Sequence, residues 1–72
     1  MNWQERITVD PAVMVGQPVV KGTRLTVKFI VGLLAHEWSV PDILREYPGL
    51  TEEDVLACLS YASERFLSER ED

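Results

Sequence analysis

"VVKGTRLTVKFIVGLLAH", residues 19–36, holds the point at which the chain changes period. Up to Val27 the apolar residues come in short β-branched clusters, Val19 and Val20 before a Lys21-Gly22 pair and Leu25 and Val27 after it. That pattern predicts extended segments around a tight turn, with Gly22 taking the positive φ the turn needs. From Val27 onward only Lys28, Gly32 and His36 interrupt the apolar run, and their spacing of four puts them on one stripe of a helix. A helix apolar around most of its circumference must be covered on several sides. In a 72-residue domain, where folding buries only about 60% of the unfolded surface, strands and other helices are expected to cover part of it and a second subunit the rest. Gly32 costs roughly 1 kcal/mol relative to Ala inside a helix, which a close backbone approach would offset.

Upstream, Ile7 and Val9 on either side of Thr8 give the alternation of a short half-buried strand. Asp10-Pro11 ends it, and Pro11 to Met14 are expected to form one turn before Gly16-Gln17-Pro18 reverses the chain. Downstream, Ser39 is placed to cap a helix opening Val40-Pro41-Asp42, with Ile43, Leu44 and Tyr47 as its apolar side and Pro48-Gly49 as its stop. Thr51-Glu52-Glu53-Asp54 has capping-box spacing, with Asp at the third helical position. The last helix takes its apolar positions from Val55, Leu56, Leu59, Ala62, Phe66 and Leu67, and the polar tail Ser68–Asp72 is expected to fray. The expectation is therefore one mainly α domain over residues 1–72, with a β extension over about 6–26 and helices over about 27–36, 40–47 and 52–67.

Charge divides the chain. The net charge is -5, yet residues 1–36 sum to +2 and residues 37–72 to -7. A polyanion is repelled by the second half and steered to the first. The single cysteine, Cys58, excludes an intramolecular disulfide, and with one histidine, His36, there is no Cys/His set to hold a structural metal. His36 is read as a helix cap and Cys58 as a small buried thiol. No phosphate-cradling loop or nucleophile elbow is present, so neither enzymatic activity nor a cofactor is expected. No apolar run reaches about 18 residues, and the basic-then-apolar order of a signal peptide is missing, so the expectation is a cytoplasmic protein without a membrane segment.

The last two helices and the turn between them have the order of a helix-turn-helix. Glu52, Glu53 and Asp54 at the start of the last helix oppose its use as a DNA reader, because they would meet the phosphates head on. Arg6, Lys21, Arg24 and Lys28 come together if the strands pair, which makes them candidates for contact with phosphates or a partner protein. The alternative is solvated turn residues that keep a sheet edge from aggregating. Trp3 and Trp38, if exposed, are candidate interface anchors.

"GQPVVKGTRLTV" (16–27) and "LLAHEWSVPDILREYPGLTEEDVLACLSYA" (33–62) together resemble a family of small bacterial and archaeal proteins catalogued as domain of unknown function 433. The resemblance runs over about residues 6–66 and rests on Gly22-Thr23-Arg24, then Tyr47-Pro48 through Asp54, in that order. It implies a homeodomain-like three-helix helix-turn-helix fold with a short N-terminal β-hairpin extension. It also implies an antitoxin-like role, in which the protein binds and silences a PIN-like nuclease toxin encoded nearby, as a homodimer that also binds its own promoter. Thr23 joins the candidate contacts as part of that signature. Three positions depart from the pattern: Gln17 stands where Lys is usual, Val15 where Gly is common, and Glu37 where Gly usually ends the first long helix. The last departure bears on the left-handed cap between the first two helices.

Overall fold

Three side-chain oxygens decide where the three helices start. The structure, a computed structural model, describes residues 2–12 and 16–69, with side chains through residue 65. Thr26 Oγ1 accepts the Phe29 N–H at 3.0 Å and opens α1, Val27–Ala35. Ser39 Oγ accepts the Asp42 N–H at 3.2 Å while Asp42 Oδ2 accepts the Ser39 N–H at 3.0 Å, a reciprocal box that opens α2, Val40–Glu46. Thr51 and Asp54 repeat the device at 3.2 and 3.0 Å before α3, Glu52–Glu69. Each cap satisfies N–H groups that the helix cannot, at about 1 kcal/mol apiece.

α1 ends in a left-handed turn. The Glu37 N–H donates to Leu34 O and the Trp38 N–H to Leu33 O, both at 3.1 Å, which is the Schellman pattern. Glu37 holds the φ of 71° that this closure requires, so the sharp cap survives without glycine.

Ahead of the helices, a 3₁₀ turn, Trp3–Glu5, leads into β1, Ile7–Val9, which pairs antiparallel with β2, Pro18–Val20. The register sets Ile7 opposite Val20 and Val9 opposite Pro18. Asp10 Oδ1 caps the following turn by accepting the Ala12 N–H at 2.9 Å; Val13 and Met14, expected to complete that turn, lie outside the described residues.

The hairpin is thus β1 with β2, and Leu25 and Val27 do not form a strand. Between Val19-Val20 and the segment that follows the turn there is a single bridge, Val19 to Thr26. The reason is local: Thr26 is committed to capping α1, so the chain enters the helix before another strand can pair. α3 in turn keeps Ser68 and Glu69 helical, past the expected end.

The core draws on both strands, all three helices and the turn before α3: Ile7, Val20, Val27, Ile30, Ile43, Leu50, Val55, Ala57 and Cys58. Ile30 and Ile43 are fully enclosed, so truncating either to Ala would cost about 2–5 kcal/mol. Trp3 meets Tyr61 of α3 edge to face at 4.8 Å, which ties the start of the chain to the last helix. No described helix is long and apolar enough to cross a membrane.

Candidate functional site

The basic residues separate into two groups. Arg6 Nη1 donates to Asp54 Oδ1 at 3.1 Å, with side chains 40% and 13% exposed. Arg6 is therefore a brace between β1 and the start of α3, and this contact occupies the guanidinium that the sequence offered as a surface cation. The same contact changes the acidic cluster. Asp54 is buried, with one oxygen on Arg6 and the other on the Thr51 N–H, so of the three carboxylates only Glu52 and Glu53 face solvent.

Lys21, Arg24 and Lys28 are exposed, and no ion pair among the described residues involves them. The loop that carries the first two is closely bonded. Val20 O accepts from the Thr23 N–H at 3.0 Å and from the Thr23 hydroxyl at 2.9 Å, while Thr23 Oγ1 accepts the Leu25 N–H at 3.0 Å. Gly22 takes φ 80° at the bend. Within the signature, then, Gly22 makes the turn, Thr23 locks it from inside, and Arg24 is the part presented outward. Thr23 is a structural residue here, since its hydroxyl is used on both sides.

Neither tryptophan is an exposed anchor. Trp38 is half-buried against the core just past the α1 cap, and Trp3 is half-buried on Tyr61. Among the described residues the exposed large apolar side chains are instead Phe29 on α1, Val9 on β1, and Leu56 and Leu59 on α3. The helical repeat explains α3: Val55 and Cys58 face the core, whereas Glu52, Leu56, Leu59 and Ser63 share one stripe roughly a quarter turn round the helix, where it meets solvent. Leu56 and Leu59, read from sequence among the packing residues, are 42% and 39% exposed. Between α1 and α3 a groove of about 620 Å³ is walled by Val27, Val31, Ala35, Tyr61 and Ala62, with the exposed Lys28 and Arg65 also lining it.

His36 closes α1, its N–H shared between Gly32 O and Leu33 O. Cys58 has no exposed surface; burial, and then the Asp54 charge, push its thiol up to about 12. At α2 the Asp42 carboxyl is held below its usual range by its hydrogen bonds with Ser39, the Arg45 guanidinium adding to the effect at 2.6 Å. Among the described residues no three His, Cys, Asp or Glu side chains converge as metal ligands.

A family model described as protein of unknown function (DUF433) matches residues 7–62. Among solved structures, the crystal structure of a DUF433 member protein from Anabaena variabilis is similar, with a TM-score of 0.80 and 33% sequence identity. The match covers 85% of this chain and 60% of that one, so this chain spans less than two thirds of its neighbour's length. No curated protein matches.

Proposed function

This chain belongs to the DUF433 family, and we propose that it is an antitoxin-like binding module, a non-catalytic cytoplasmic protein that holds and neutralises a PIN-like nuclease encoded beside it. The observation that carries this reading is the outer face of α3. Leu56 and Leu59 stand exposed in line with Glu52 and Ser63, and Glu53 and Glu64 are exposed on the same helix. Two solvated leucines among carboxylates suit a partner that offers both an apolar pocket and cations. A nuclease groove that binds RNA has that chemistry, and the acidic helix would fill it in the substrate's place. Support for the non-catalytic part comes from Cys58, whose thiol is sealed in the core and held protonated.

Co-expression with the neighbouring reading frame tests the reading. The wild-type chain should co-purify with the nuclease and suppress its RNA cleavage, and a Leu56→Asp/Leu59→Asp chain should do neither while keeping its helical circular dichroism. Glu52→Gln/Glu53→Gln should weaken binding most at low salt. Unchanged capture by the leucine variant would remove the α3 face from the interface.

A second reading is favoured by the exposed Lys21, Arg24 and Lys28, which make no ion pair among the described residues: a transcription regulator that contacts DNA through its basic N-terminal element. It requires promoter affinity that falls steeply with salt and collapses on Arg24→Ala. A salt-independent response would exclude it.

A further inference from the structure

We propose that the outward face of α1 is a two-fold contact with a second copy of this chain, the two helices crossing antiparallel at Gly32. This goes beyond the α3 reading and uses a different surface.

Gly32 lies in the middle of the exposed side of α1, among Lys28, Phe29, Ala35 and His36. Glycine in a helix interior lowers helix stability relative to alanine, so its presence there needs a reason. None comes from within the chain: a Cβ built on Gly32 meets nothing within 4 Å. Hollows flank the position on both sides, the groove toward α3 and a second of about 420 Å³ bounded by Phe29, Leu33 and His36, and Gly32 lines both. A helix laid across Gly32 would have room for its side chains on either side.

Shape and charge both choose a second copy in antiparallel orientation. A two-fold axis at Gly32 sets glycine against glycine and Phe29 of each copy against Ala35 of the other, large against small. The charges of α1 run against its own dipole: Lys28 is in the first turn, where no acid is present, and Glu37 follows a last turn that contains no base. Both placements are unfavourable in an isolated helix. Antiparallel pairing brings Lys28 to the negative end of the second helix, next to Glu37 of that copy, and makes both favourable. With one nine-residue helix contributed by each copy, the contact falls at the small end of specific interfaces, so association should be micromolar.

Sedimentation velocity on the full chain across the micromolar range tests this. Wild type should pass from monomer to dimer, and Gly32→Leu should move the midpoint up by about tenfold or more. The leucine side chain projects into open space in the single chain, so the dilute variant should keep its helical circular dichroism. Gly32→Ala should raise the melting temperature of the dilute protein and still weaken association. Lys28→Glu and Glu37→Lys should each stay monomeric alone, because each variant faces like charge across the axis. Mixed in equal amounts they should associate, since the mixed pair regains two opposite-charge contacts. A wild type that remains monomeric throughout would overturn the proposal. So would a mixture as dissociated as its components beside a dimeric wild type. Neither result would touch the α3 reading, because none of these residues lies on α3.

Discussion

Glu37→Gly should stabilise the folded chain, although it deletes a side chain and adds no contact. Glu37 sits at φ 71°, in the left-handed region, where a residue with a Cβ carries roughly 1–2 kcal/mol of steric cost. Glycine removes that cost but gives the unfolded chain more freedom, returning about 0.5–1 kcal/mol. Taking a carboxylate away from the negative end of α1 adds about 0.3 kcal/mol in the same direction as the strain relief. The net gain is about 1 kcal/mol, or about 4–8 °C in melting temperature for a domain of this size. Urea denaturation of dilute protein, at concentrations where copies do not associate, should show a higher midpoint with an unchanged slope. Two companions divide the causes. Glu37→Ala removes the charge but keeps the strain and should stay within about 0.5 kcal/mol of wild type, while Glu37→Asn, which tolerates the left-handed region, should fall between Ala and Gly. If Glu37→Gly proves no more stable than Glu37→Ala, the strain argument is wrong.

The Arg6 and Asp54 contact gives a second test: Asp54→Ala should cost about 2 kcal/mol, since it removes a helix cap as well as the ion pair, and Arg6→Ala less than about 1 kcal/mol. Arg6→Ala should cost still less in the Asp54→Ala background; equal cost in both backgrounds, read from urea midpoints, would mean that the pair is not coupled. Gly22→Ala should lose about 1 kcal/mol in thermal melts, because φ 80° is strained for alanine even though its Cβ would meet nothing. Cys58 sets a pH dependence with a definite sign. Its folded pKa of about 12 lies above the ordinary 9.0, so its stabilising contribution is whole below about pH 9 and is lost as pH rises toward 12, by up to about 1.4 kcal/mol per pH unit. A Cys58→Ala chain should lack that slope when its urea midpoints are compared with wild type at rising pH.

Helix boundaries are legible in this sequence because each capping residue reaches only three positions along the chain. Ser39 with Asp42 and Thr51 with Asp54 announce their helices locally, and the structure closes both boxes. The strands are legible as segments but not as partners. Alternation marks Ile7–Val9 and the apolar pair Val19-Val20, yet which segment pairs with which depends on Thr26 being taken by α1. The surface is the least legible part. Arg6 and Asp54 are 48 positions apart, and no local pattern tells a solvated arginine from a bridged one. Leu56 and Leu59 share a helix with Val55 and Cys58, and periodicity separates the two pairs without saying which faces inward; packing against α1 and β1 settles that. Glu37 adopts a glycine conformation that its own residue type does not signal, and only the family pattern, with Gly usual at that position, points to it.

The sealed thiol gives the protein a built-in clock. Cys58 is wholly covered and protonated at neutral pH, so an alkylating reagent gains it only during the moments when the fold opens. The labelling rate therefore counts openings, and each cysteine counted reports one chain. Anything that binds the closed form lengthens the interval between openings by the factor 1 + L/Kd, L being its free concentration, wherever on the surface it docks. Labelling followed by intact-mass measurement would thus register a nuclease, a promoter or a second copy of the chain through one atom that none of them touches.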